Sequence, residues 1–109
     1  MTFQPGCSLE ALASGPQTVA VEGREVAVFL IEGQVYAIDN LCPHRGGPLG
    51  QGDLSGHLIH CPVHAWAFDV RTGVAASNPG LAIATYRTRV VAGWVQLGPK
   101  AAVKLGGSP

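Results

Sequence analysis

From Gln17 onward the chain reads as short β-branched or apolar runs cut by glycine-bearing pairs. Thr18-Val19-Ala20-Val21 ends at Glu22-Gly23, Glu25 to Ile31 ends at Glu32-Gly33, and Val35-Tyr36-Ala37-Ile38 ends at Asp39-Asn40. Runs of this kind predict consecutive antiparallel strands. Val26 to Ile31 has no polar alternation, so it is expected to be a central strand covered on both faces. Further on, Gly52-Asp53-Leu54 and Leu58-Ile59-His60 flank Ser55-Gly56, a two-residue hairpin signal. Ile83 to Val91 is a long strand candidate with Ala84, Tyr86, Thr88 and Val90 on one face and Arg87 and Arg89 on the other. Ala92-Gly93 turns it into Trp94-Val95-Gln96-Leu97.

The remaining stretches carry weaker patterns. Ser8 to Ser14 contains Leu9, Ala11, Leu12 and Ala13 and stops at Gly15-Pro16, which suits a single helical turn. Phe68-Asp69-Val70 leads into the turn Arg71-Thr72-Gly73, and Val74 to Leu81, with Asn78-Pro79-Gly80, is poorly patterned. Gly98 to Pro109 is rich in Gly, Ala and Lys and lacks an amphipathic pattern; a loosely held tail is expected there. The sum is an all-β protein: an antiparallel β-sandwich or barrel base with a small subdomain inserted at about residues 40–80.

Length and charge narrow the class. The 109 residues suit one domain spanning 1–109, large enough to bury about two-thirds of its unfolded surface. Seven basic and seven acidic residues cancel, which argues for neither a nucleic-acid nor a membrane-surface partner. The longest strongly apolar run, Val26 to Ile31, is far short of the roughly 20 residues of a spanning helix. Met1 to Cys7 has neither the basic start nor the apolar core of a secretory signal, so a cytoplasmic protein is expected. Of three cysteines, Cys7 stands apart and is expected to be small, partly buried and inert.

The candidate chemistry lies between Cys42 and Trp66. Cys42-Pro43-His44 and Cys61-Pro62-Val63-His64 form two matched pairs, with sixteen residues from Arg45 to His60 between them. Each Cys is followed by a Pro that stiffens its turn. Small zinc modules usually supply their ligands as like pairs, whereas each loop here is mixed. A two-iron, two-sulfur centre with Cys on one iron and His on the other needs that mixture, each facing loop giving one ligand to each iron. The assignment is Cys42 and Cys61 to one iron and His44 and His64 to the other. A structural zinc site in an interaction module stays open as the alternative. His57 and His60 are expected not to be ligands, since four groups complete the site and His60 should point away from its neighbour Cys61.

The words Cys-Pro-His-Arg-Gly-Gly-Pro-Leu and Cys-Pro-Val-His-Ala-Trp-Ala-Phe-Asp resemble those of Rieske-type iron-sulfur domains. The resemblance extends from about Val19 to Leu97, and it is to the ferredoxin components of bacterial ring-hydroxylating dioxygenases and to the small subunit of assimilatory nitrite reductase. It implies one [2Fe-2S] cluster, an electron carrier rather than an enzyme, and a flavoprotein reductase and a terminal oxygenase as partners. The alternative partner is the large subunit of an NAD(P)H nitrite reductase. It also implies that a proline loop covers the cluster. Pro79 is the matching candidate, beside the reading of Asn78-Pro79-Gly80 as an ordinary turn. Trp66 is expected to pack beneath the cluster, and Arg45 is either a docking-rim residue or a solvated charge.

High-potential relatives carry a further Cys in each ligand loop, joined as a disulfide, and Ser and Tyr hydroxyls aimed at the cluster. Here Gly47 and Val63 stand at the disulfide positions and Trp66 and Phe68 at the hydroxyl positions. Hydrogen bonds to sulfur stabilise the more negative reduced state, so their absence implies a potential near the bottom of the roughly −150 to +300 mV range.

Overall fold

The computed structural model describes residues 3–42, 47–63, 66–76 and 78–101. In chain order its elements are β1 (Gln4–Ser8), α1 (Leu9–Ser14), β2 (Gln17–Val21), β3 (Arg24–Ile31) and β4 (Gln34–Asp39). One turn of 3-10 helix (Leu49–Gln51) follows, then β5 (Asp53–Ser55), β6 (Leu58–His60), β7 (Ala67–Asp69), β8 (Val74–Ala75), β9 (Asn78–Ala82), β10 (Thr85–Val91) and β11 (Trp94–Lys100).

The strands form two antiparallel sheets. The larger runs β1-β11-β10-β4-β3-β2 and the smaller β5-β6-β7-β8-β9, so the small sheet is inserted between β4 and β10, as the expected subdomain requires. The larger sheet curls until its two edges approach each other. Gln4 Nε2 of β1 donates to Glu22 Oε2 beyond β2 at 2.7 Å.

Three hairpins of the base turn on pairs of left-handed residues. Glu22-Gly23, Glu32-Gly33 and Ala92-Gly93 have φ of 51° and 79°, 52° and 80°, and 52° and 81°. Two successive positive φ values match the right-handed twist of the flanking strands, which is why these pairs are readable as turns.

β3 separates two cores. Successive side chains of a strand point to opposite faces; Val26 and Val28 enter one cluster with Ala37, Tyr86, Val95 and Leu97 inside the base. Ala27 and Phe29 enter the other with Ile38, Leu49, Ile59, Phe68 and Val70, between base and small sheet. An uninterrupted apolar run is the sequence such a strand needs. Burying a side chain the size of Phe29 removes on the order of 1.5–3 kcal/mol of exposure cost.

The structure departs from the sequence pattern in four places. β1 has no strand signal, because Gln4-Pro5-Gly6-Cys7-Ser8 is poor in strand formers; an edge position tolerates Pro5, and the register breaks between Pro5 and Ser8. The β5–β6 hairpin turns on Gly56-His57 rather than Ser55-Gly56, since Ser55 pairs with Leu58 and Gly56 takes the positive φ of 61°. Val74 to Leu81 is not irregular but supplies β8 and most of β9, and Pro79 lies in a strand at the edge of the small sheet. Finally β11 continues through Gly98-Pro99-Lys100, with Lys100 opposite Tyr86, so Gly98 to Lys100 are not the loose tail expected there; 102–109 lie outside the described residues.

Candidate metal centre

The site is built on two loops: the first crosses from β4 of the base to the small sheet, and the second joins β6 to β7 within the small sheet. Leaving β4, the chain reaches Cys42, whose N–H donates to the Gly47 carbonyl at 2.9 Å. Leaving β6, it reaches Cys61, whose N–H donates to the Trp66 carbonyl at 2.8 Å. Each cysteine therefore closes a loop onto the carbonyl five residues ahead, and each loop encloses one of the expected histidine ligands. Leu41 and Pro48 pair as an antiparallel bridge beneath the first loop.

The loops meet. Cys42 and Cys61 are 1% and 5% exposed and belong to the same apolar cluster as Leu49, Ile59 and Phe68. A Cβ placed on Gly47 would stand 2.7 Å from Cys61 Sγ and 2.8 Å from Val63 Cγ2, so glycine is required there by the close approach of the second loop. The same Cβ would lie 3.3 Å from Val63 Cβ, near the roughly 3.5–4.5 Å of a disulfide. Gly47 and Val63 thus face each other as the positions implied by the resemblance should, without sulfur in either.

His44 and His64, with Arg45, lie outside the described residues. Of the aromatic neighbours, Trp66 is half-buried against the shared core and its ring lies 6.5 Å from that of Phe68. His57 stands edge-on to Tyr36 at 5.7 Å between centroids. His60 sits in the β6 ladder opposite Asp53 and Ala67. Cys7 is in the base core, away from Cys42 and Cys61, and burial pushes its thiol pKa up, in keeping with an inert thiol.

Sequence reasoning misses the polar contacts at the foot of the first loop. Tyr86 Oη donates to Asp39 Oδ1 at 2.5 Å and accepts from Arg24 Nη1 at 3.2 Å. Burial, then the Asp39 contact, raises the Tyr86 pKa. Asn40, 2% exposed, is the buried polar residue among those described; its signal in the sequence is only its place two residues before Cys42.

The donor set suits an iron-sulfur group. Two thiols are withdrawn from water in one core, backbone approaches Cys61 without side-chain bulk at Gly47, and the adjoining positions carry apolar Val63, Trp66 and Phe68. The profile of the Rieske [2Fe-2S] domain family matches residues 2–87. The chain belongs to that family. Among Rieske proteins of known role, the ferredoxin component of the naphthalene 1,2-dioxygenase system of Pseudomonas putida is 48% identical over 61 residues. That stretch is 56% of this chain and 59% of the relative's length. The ferredoxin of carbazole 1,9a-dioxygenase from Nocardioides aromaticivorans IC177 superposes with a TM-score of 0.83 at 34% identity, over 92% of this chain and all of that one. A ferredoxin in complex with the oxygenase of carbazole 1,9a-dioxygenase gives 0.83 at 28% identity, covering 94% and 97%. A nitrite reductase small subunit gives 0.77 at 25%, covering 89% and 98%. The Rieske base-and-subdomain architecture expected from the sequence is the one found.

No helix among the described residues is long and apolar enough to cross a membrane.

Proposed function

We propose that this chain is a low-potential Rieske-type ferredoxin that carries single electrons from a flavoprotein reductase to a terminal ring-hydroxylating oxygenase. Cys42 and Cys61 hold one iron of its [2Fe-2S] group, and His44 and His64 hold the other. The observation that carries the reading is the convergence of two alike loops on two buried cysteines, with Gly47 pressed against Cys61 Sγ. The group supplies a site where one electron is held.

The residues around it set the terms of that exchange. The shared apolar core excludes water from Cys42 and Cys61, so charge there is weakly screened. Gly47 and Val63 offer no disulfide, and Trp66 and Phe68 offer no hydroxyl to the sulfurs, which favours a low potential suited to a flavin donor. His44 and His64 each keep a second ring nitrogen able to hold a proton. Leu41 and Val63, 51% and 55% exposed, flank the two cysteines and supply apolar surface for a transient partner. The carrier role, not catalysis, fits a chain whose motifs are all used in this one site, and the buried Cys7 thiol fits a reducing cytoplasm.

The test is electron paramagnetic resonance of the dithionite-reduced protein through a redox titration at several pH values. A rhombic signal with average g below that of plant-type ferredoxins, and a low potential that falls only at alkaline pH, is expected. A silent protein carrying one zinc per chain would sink the reading in favour of a structural zinc module.

The likeness to a nitrite reductase small subunit favours a second reading, in which the same site serves a large flavin and sirohaem subunit. Affinity purification from the native host separates the two: a stable complex with such a subunit replaces the freely exchanging shuttle.

A further inference from the structure

The first ligand loop leaves β4 at Asn40 and returns at Leu49-Gly50, and one residue holds both ends. The Asn40 carbonyl accepts from Leu49 N–H at 2.6 Å, and its Oδ1 accepts from Gly50 N–H at 2.8 Å. On its other side, Asn40 N–H donates to the Glu25 carbonyl at 2.9 Å and Nδ2 donates to Glu25 Oε1 at 3.0 Å. All these contacts are made by a residue 2% exposed. A carboxamide is required because one end accepts from an amide while the other donates to a carboxylate; Asp lacks the donor and Leu lacks both.

The returning 3-10 turn has no slack. A Cβ on Gly50 would stand 2.9 Å from Thr18 Oγ1 and 3.0 Å from Asn40 Oδ1, so Gly50 is seated between β2 and the carboxamide. Leu49 beside it is fully buried in the cluster that holds Cys42 and Cys61. Between these ends the loop is pinned by the Leu41–Pro48 bridge and by Cys42 N–H on Gly47. A shift of Leu49-Gly50 therefore moves Gly47, which lies so near the second loop that a Cβ on it would stand 2.7 Å from Cys61 Sγ.

We infer that Asn40, anchored by Glu25, is a positioning residue that sets the separation of the two ligand loops and so the geometry in which the cluster is held. The inference rests on the ligand reading above.

The experiment compares the full-length holoprotein with Asn40→Leu, with the exchanged pair Glu25→Gln/Asn40→Asp, and with Val95→Ala, which loosens only the base core. Iron per chain, electron paramagnetic line shape after dithionite reduction, and thermal unfolding are read for each. In the exchanged pair, the new carboxamide at position 25 can donate to one oxygen of the new carboxylate while the other still accepts from Gly50, and the net charge is unchanged. Asn40→Leu is expected to lose iron several-fold and to alter the line shape of what remains. The exchanged pair is expected to recover wild-type iron and line shape, and Val95→Ala to melt lower with an unaltered line shape.

Wild-type iron and line shape in Asn40→Leu would overturn the inference, as would an exchanged pair no better than Asn40→Leu. If Asn40→Leu yields no folded protein, the exchanged pair decides alone: wild-type line shape supports the inference and a changed one overturns it. A wild-type protein without a Rieske-type signal instead overturns the ligand reading, and the inference with it.

Discussion

Gly47 lies against Cys61 across the two ligand loops, so close that an added methyl carbon would stand 2.7 Å from the sulfur. Real Cβ atoms do not come so near, and the neighbours of that carbon are a buried thiol and Val63 rather than a flexible side-chain end. Gly47→Ala should therefore separate the loops. Iron bound per chain is expected to fall several-fold while the base sheet persists in far-UV circular dichroism; full iron content would show that the loops can part without loss.

His64→Cys tests which side chains face the irons. Thiolate in place of neutral imidazole adds negative charge, and His-to-Cys differences across the family of such centres imply a drop on the order of 100 mV for one ligand. The pH dependence of the potential should weaken as well, because one ionisable ring is gone. A titration that keeps both the potential and its pH dependence would contradict His64 as a ligand.

Asp69, at the end of β7, accepts from Arg71 Nη2 at 2.8 Å, Nε at 3.0 Å and backbone N–H at 2.9 Å. The Arg71 side chain lowers its pKa, burial opposing. The folded protein thus holds Asp69 ionised more firmly than the unfolded chain, so the contribution is present above the ordinary value of 3.8 and is lost as pH falls below it. The pair is largely solvated, and an amide side chain at position 69 keeps the acceptor for the backbone N–H. Asp69→Asn is expected to cost only about 0.5–1 kcal/mol at pH 7, a difference from wild type that should vanish in denaturant titrations run at strongly acid pH.

Ala92 occupies a left-handed turn position, φ 52°, ahead of Gly93. Asn tolerates that conformation better than Ala, whose Cβ crowds the following carbonyl. Ala92→Asn should stabilise by about 0.5–1 kcal/mol and raise Tm by a few degrees; an unchanged or lower Tm would mean the strain is relieved elsewhere in the hairpin.

The base strands are legible because their signals are local. Glu22-Gly23, Glu32-Gly33 and Ala92-Gly93 announce hairpins by what their own backbones can adopt, and Val26 to Ile31 announces burial on both faces by lacking polar residues. β1 and β9 are not legible, for the opposite reason. Gln4-Pro5-Gly6-Cys7-Ser8 and Asn78-Pro79-Gly80-Leu81-Ala82 have little strand propensity of their own, and they become strands because β11 and β8 present unpaired ladder groups to them. The one-residue displacement of the turn to Gly56-His57 has the same root: register is set by the pairing of Leu54 with Ile59, not by the turn residues alone.

By itself the sequence determined the strand-rich class and the two Cys-Pro loops with the Cys and His residues they carry, since each depends on residues within a few positions of one another. The tertiary structure alone decided that Cys42 and Cys61 are buried in one core, that the loops approach each other at Gly47, and that Asn40 ties β3 to both ends of the first loop. Those relationships join residues far apart in the chain, between Glu25 and Gly50 and between Gly47 and Cys61, and such distances are fixed only when the two sheets close on their shared core.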